Sequence, residues 1–200
     1  MKARQTGFTL IELMVTVIVL AVLLGIGVPS FRDFLRNSRI TGATNDIVTD
    51  FNVARSEAVK RRVPVTVCKS QDGATCDADD TDPFTRWIIF VDDADPAAAS
   101  ADDGNGEVDG TEAVLRQRAI DDSITVTVNA SGRRMVYLPT GFPNNALANT
   151  VSQFVLCDDR GNVVSVGGVS AARAVTVSTT GRPTATRDIT TIAGLGGCPP

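Results

Sequence analysis

The 200 residues predict an α+β chain: one long N-terminal helix packed on an antiparallel β head. Three observations lead there. An apolar run from Phe8 to Val28 is long enough for a helix that crosses a bilayer, which takes about 20 residues at 1.5 Å rise. Apolar residues then recur at three- and four-residue steps, as on one face of a helix. Beyond residue 62 the periodicity shortens to two, with Gly, Asn, Asp and Pro clusters between short Val- and Thr-rich segments, the signature of antiparallel strands.

In order, the reading divides the chain into a leader of residues 1–7, a helix over 8–62 and a head over 63–200. Within the apolar run FTLIELMVTVIVLAVLLGIGV, Glu12 is the one charged residue. Lys2 and Arg4 precede the run and predict a cytoplasmic start, so that the head is delivered across the membrane. A secretory signal cleaved behind the run is the competing reading. It leaves Glu12 unexplained, because an acid in a membrane helix costs on the order of 2.5 kcal/mol. Pro29 removes a helix hydrogen bond and predicts a kink just after the span at 8–28.

Phe31, Phe34, Leu35, Ile47, Val48, Phe51, Ala54 and Ala58 define an amphipathic second half packed on the head. Arg36, Arg39, Arg55, Lys60, Arg61 and Arg62 are read as its solvated face. Strands are expected over 63–68, 86–92, 113–118, 124–129, 134–138, 153–158 and 174–179. Trp87 and Phe90 read as core, and no internal repeat stands out.

Composition narrows the chemistry. Hydrophobic residues make up 43% and aromatic residues 5%, so the core rests on aliphatic side chains. Histidine is absent, which removes the Ser-His-Asp arrangement and His-containing zinc sites; no catalytic residue, cofactor or metal is assigned. The formal charge is −4; without Lys2 and Arg4, 17 cationic side chains face 23 anionic ones, −6. Polyanion binding would therefore need a local basic patch.

Four cysteines without a CxxC pair suit two disulfides in an exported chain. Of the three pairings, Cys68 with Cys76 and Cys157 with Cys198 each close a local unit; buried free thiols are the alternative. The acidic stretches CDADDTD and DDADPAAASADDGNGEVDGTE suggest calcium by composition. Asp103, Asn105 and Gly106 would fill three positions of an EF-hand loop, but Ala101 and the early Glu112 break its spacing, and solvated turns are the favoured reading.

The segment Gly7-Phe8-Thr9-Leu10-Ile11-Glu12-Leu13 resembles the processing site of type IV prepilins and type II secretion pseudopilins. The resemblance implies cleavage after Gly7 by a prepilin peptidase, N-methylation of Phe8, and a filament core of bundled helices. In that core Glu12 would pair with the new α-amino group of Phe8 on a neighbouring subunit. Further along, VTVCKSQDG, WIIFVDD with DGNGEVDGTEAVLRQ, FVLCDDRGN and ARAVTVSTTGRP resemble the GspH/FimT family of minor pilins and pseudopilins. The cysteine near the C terminus is similar to its FimU-like, pilus-associated members.

Three functions follow as expectations: a minor type IV pilin that initiates or caps a pilus, a DNA-binding competence pilin for DNA uptake, and a type II secretion minor pseudopilin. The partners implied are other major and minor pilins, the prepilin peptidase, the inner membrane before assembly, and double-stranded DNA. The location implied is the bacterial inner membrane, with the head periplasmic, and then the filament. DNA-binding relatives carry Gly-Arg-x-Arg near the C terminus. Here Gly181-Arg182-Pro183-Thr184 keeps the first arginine only, and Arg173, Arg182 and Arg187, with Arg133 and Arg134, are the candidates. No neighbouring aromatic is foreseen, so duplex is expected over single strand.

Overall fold

The computed structural model describes residues 7–77, 83–93, 104–109, 112–129, 132–165 and 167–198. Lys2, Arg4, Ala101 and Asp103 lie outside them. The chain divides into two compact units, Met1–Ser38 and Arg39–Pro200. Helix α1 runs Leu10–Arg61 and continues through Pro29.

In the first unit the apolar side chains from Leu10 to Ile26 are about half exposed or more, as suits a helix long and apolar enough to cross a membrane. Phe31 and Phe34 are also exposed and stack on each other at 6.4 Å. In the second unit, burial along the helix begins at Ile40.

In the second unit α1 buries Ile40, Ala43, Thr44, Ile47, Asp50, Phe51, Ala54 and Ala58, the three- and four-residue steps of one face. Two four-stranded antiparallel sheets share that face. The first has order β3-β2-β1-β5, from Val114–Ala119, Arg86–Val91, Val65–Lys69 and Arg134–Tyr137. The second has order β10-β9-β6-β4, from Pro183–Thr186, Arg173–Val177, Gln153–Cys157 and Thr125–Val128. A two-stranded ribbon, β7 (Val164–Ser165) and β8 (Val169–Ser170), and a short helix α2 (Ile189–Gly194) complete the described elements.

Phe51 sits at the meeting point, edge-on to Tyr137 of the first sheet and to Phe154 of the second, at 6.4 and 5.3 Å. Val65, Val67, Trp87 and Ile89 join this core from one sheet, and Val126, Leu156, Val175 and Val177 from the other. Asp50, fully buried on the same helix face, accepts hydrogen bonds from Trp87 Nε1 at 2.9 Å, Arg116 Nη1 at 2.5 Å and Arg118 Nε at 3.3 Å. A buried charge is tolerated when paired and fully bonded.

The outer faces of both sheets are also covered. Cys68 bonds to Cys76, and the loop packs Cys76 with Val108 and Val114 over Ile88 and Phe90. Cys157 bonds to Cys198, holding α2 and its Ile192 over Val155, Ala172 and Ala174. Asp188 caps α2, its Oδ1 accepting from Thr191 N–H at 2.7 Å, which fills an otherwise orphaned first-turn donor.

Not every acid in the runs is a solvated turn. Asp92 is fully buried and accepts from Thr66 Oγ1 at 2.5 Å, Gly104 N–H at 3.0 Å and Gly106 N–H at 2.9 Å. It therefore ties the 104–106 loop to β1; burial pushes its carboxyl up to about 6 against those hydrogen bonds. Glu112 accepts from Asp109 N–H at 2.8 Å through one oxygen and has its other oxygen buried without a partner among the described residues. Burial, helped by the charges of Asp92, Asp109 and Asp93, raises it to about 7. Among the described residues no group of three or more His, Cys, Asp or Glu is placed to hold a metal.

Three outcomes are expected. The chain-entropy model gives about 4 kcal/mol for the bridge spanning 41 residues and about 2.5 kcal/mol for the one spanning 8. Denaturant titration of Cys157→Ser/Cys198→Ser should thus show the larger loss, and equal losses would refute the loop-length account. Asp50→Ala should cost about 2 kcal/mol, because it leaves the buried Trp87 Nε1 donor without its acceptor and removes the Arg116 pairing, while Arg118 keeps Asp46 at 3.4 Å; a loss under about 1 kcal/mol in the same titration would contradict this. Glu112 holds its proton more tightly folded than unfolded, so its stabilisation is complete below 4.5 and fades as pH rises through about 7. Urea midpoints from pH 4 to 8 should fall less for Glu112→Gln than for the parent; parallel curves would sink the assignment.

Candidate functional site

The N-terminal motif is built around one cap. Gly7, Phe8 and Thr9 precede the helix in non-helical backbone, and Phe8 is 84% exposed. The Thr9 hydroxyl accepts the Glu12 N–H at 3.2 Å while its carbonyl accepts Leu13 N–H at 3.2 Å. Thr9-x-x-Glu12 has the spacing of a capping box, with the acid in the first turn, where the helix dipole favours it. The Gly7–Phe8 peptide bond therefore sits outside the helix, and Glu12 sits in its first turn. Thr16 spends its hydroxyl on the Leu13 carbonyl at 2.8 Å, which suits an apolar surrounding.

The C-terminal arginines divide. Arg173 is 6% exposed, and its Nη1 donates to the carbonyls of Ser170, Ala171 and Ala172 at 3.3, 2.8 and 3.1 Å. Burial first, then the charges of Arg187 and Arg160, lowers it to about 10. Its assignment to a phosphate-binding surface is therefore corrected: the side chain closes its own loop. Strand register puts it on the same face as Leu156, turned from solvent.

Arg182 and Arg187 are exposed at the two ends of β10, roughly 16 Å apart along an extended strand. Arg187 Nη2 donates weakly to Ser165 Oγ and the Ser170 carbonyl, both at 3.4 Å. Arg134 opens β5 of the other sheet with Arg133 just before it; both are half-buried, and Arg134 pairs with Glu107.

Residues that the sequence reading left in separate roles meet around Arg182. Arg55, assigned to the solvated helix face, donates its Nε to the Gly141 carbonyl at 2.9 Å. The same carbonyl lies 2.9 Å from where a Cβ on Gly181 would stand, so Phe142 and Arg182 are carried on abutting turns. A repeat carried the signal: Thr140-Gly141-Phe142-Pro143 and Thr180-Gly181-Arg182-Pro183.

Comparison with known proteins fits this architecture. Residues 43–181 match the profile of the Type II transport protein GspH, and residues 2–28 match the prokaryotic N-terminal methylation motif. Prepilin peptidase-dependent protein D of Escherichia coli (strain K12) is 37% identical over 76 residues, 37% of this chain and 44% of that protein. The Type IV major alpha-pilin of Moraxella bovis is 25% identical over 112 residues, 54% of this chain and 68% of that one. FimA, the Type IV major fimbrial protein of Dichelobacter nodosus, is 32% identical over 88 residues, 44% of this chain and 47% of that one.

Among solved structures, the type IV minor pilin FimU of Pseudomonas aeruginosa is 15% identical, with 78% of this chain and 98% of that one covered at a TM-score of 0.47. The minor pseudopilin EpsH of the Vibrio cholerae Type 2 Secretion System is 11% identical, with 74% and 97% covered at 0.43. With its family profile spanning most of the chain and the methylation motif at its start, this protein belongs to the GspH family, among the pilins and pseudopilins.

Proposed function

We propose that the chain is a minor type IV pilin, a structural subunit without catalytic residues that helps initiate or cap a pilus. The observation that carries this is the Thr9-capped start of an apolar helix whose one charged residue between Phe8 and Val28 is Glu12. After cleavage behind Gly7 and methylation of Phe8, the new α-amino group has a carboxylate within the same apolar layer to pair with. Pairing between neighbours offsets part of the cost of burying each charge and sets the stagger of adjacent helices. Before assembly the span 8–28 holds the protein in the inner membrane with the head outside the cytoplasm, and other major and minor pilins are its partners. The names of the relatives, pilin and fimbrial proteins, favour a pilus over a secretion pseudopilus.

DNA uptake is the second reading, favoured by Arg182 and Arg187 standing exposed beside β10. Arginines on one exposed edge would give weak, salt-dependent, sequence-independent contacts with phosphates.

The test is a gene deletion scored for sheared surface pili, secreted protein and DNA uptake in the same cultures. Loss of pili restored by the wild-type gene supports the pilus reading; normal pili with lost secretion or uptake overturn it. In the complemented strain Glu12→Ala should be cleaved normally, yet its amount in filaments should fall at least about tenfold, equivalent to 1.4 kcal/mol of lost pairing. Normal incorporation would remove the pairing argument.

A further inference from the structure

Two turns of the head are built alike. In the first, Leu138 N–H donates to the Phe142 carbonyl at 2.9 Å and Gly141 N–H to the Leu138 carbonyl at 2.8 Å. In the second, Ser178 N–H donates to the Arg182 carbonyl at 3.0 Å and Gly181 N–H to the Ser178 carbonyl at 2.8 Å. Each closes through a glycine at φ 78°, the left-handed conformation of a three-residue hairpin loop with a glycine bulge. Phe142 and Arg182 therefore occupy equivalent positions, one residue past the glycine, and both are exposed.

The turns are locked together. Tyr137 Oη donates to the Gly181 carbonyl at 3.1 Å, and a Cβ on Gly181 would stand 2.8 Å from the Tyr137 ring and 2.9 Å from the Gly141 carbonyl. Helix α1 is tied to the same point by Arg55 Nε, and Val59 lies against Gly141. Arg55 and Val59 share one helix flank by their four-residue spacing, and Arg62 follows the helix in left-handed backbone at φ 63°.

Two half-exposed apolar side chains, Val59 and Phe142 at 49% each, thus stand by Arg55 and the turn that carries Arg182. Arg62 and Arg182 have no ion pair among the described residues, while Glu57 is taken by Lys60 and Arg61 at 3.4 and 2.6 Å. A rigid apolar centre with arginines around it, on a chain of net charge −4, has the anatomy of a protein interface.

We infer that the twin turns and the end of α1 form a docking surface for the head of another filament subunit, one presenting an apolar side chain flanked by carboxylates. Arginine forks donate to carboxylates in bidentate geometry, and Arg55 is already oriented by its bond to Gly141. A phosphate backbone would engage the arginines and leave Val59 uncovered, which favours protein over nucleic acid. The identity of the partner rests on the filament reading; the surface does not.

The test uses the full-length chain in cells. Phe142→Asp and Arg182→Glu should melt as the parent does and be cleaved normally, while their share in sheared filaments falls at least about fivefold, with Arg182→Ala intermediate. In parallel, Phe142→benzoylphenylalanine should photocrosslink to a peptide of another subunit with an N-terminal methylation motif, the peptide carrying Asp or Glu beside an apolar residue. The crosslink should be lost when Arg182→Glu is added. Normal incorporation of both variants overturns the inference. So does a crosslink to nucleic acid, or loss of binding to a fluorescein-labelled 20-nucleotide strand or duplex in variants that still incorporate. If the parent itself is absent from filaments, the filament reading falls and the crosslink alone decides the surface.

Discussion

One helix face carries the head. Between Ile40 and Ala58 it supplies the apolar surface on which both four-stranded sheets pack, and Phe51 touches an aromatic ring from each. Both sheets and the helix build one core, in which Phe84, just before β2, also meets Phe154 of β6 directly at 5.2 Å. The buried Asp50 fixes how one sheet lies on it, because a carboxylate bonded to Trp87, Arg116 and Arg118 at once admits one placement of β2 and β3 against the helix. Apolar packing alone is tolerant of sliding, whereas a buried charge with three directional partners is not.

The elements legible in the sequence were those with a strong period. The apolar run, the helix face from Ile47 to Ala58 and seven of the strands announce themselves by spacing, with ends displaced by one or two residues. Those that escaped lack such a pattern. Strand β10 reads Pro-Thr-Ala-Thr, has a proline at its start and lies at a sheet edge, so it is ordered by pairing with β9 rather than by burial. Helix α2 has one buried side chain, Ile192, and is held by the Asp188 cap and the Cys157–Cys198 bond. The acids were opaque for another reason: composition marks Asp50, Asp92 and Glu112 as charged, and charge predicts solvent until the donors that meet them are known.

Those acids follow one physical rule with different outcomes. Asp92 gathers a hydroxyl and two backbone N–H groups and becomes the fastening of a loop; Asp50 gathers two guanidinium groups and an indole and becomes the fastening of a sheet. Glu112 is driven up first by burial, with one donor for two oxygens and then three acidic neighbours, and its affinity for a proton rises accordingly. Glu12 stands apart, since its partner under the proposed assembly belongs to another molecule. An acid left unpaired within one chain is expensive in lipid and becomes favourable only when a neighbour's amine arrives, which makes assembly itself the step that relieves the cost.

The arginines of the head sort by the same accounting of partners. Arg173 satisfies itself on three carbonyls and is lost to any outside ligand, although sequence position alone ranks it with Arg182 and Arg187. Arg182 is held differently: its backbone is fixed by a turn that abuts a second turn of the same construction, and its side chain has no ion pair among the described residues. Rigid backbone under an unpaired side chain lowers the ordering cost of binding, and Phe142 is presented in the same way on the companion turn. Repetition of the Thr-Gly-x-Pro turn therefore does more than close two hairpins. It places Phe142 and Arg182 on abutting turns beside the end of the helix that both sheets share, so the helix and both sheets hold that surface in place.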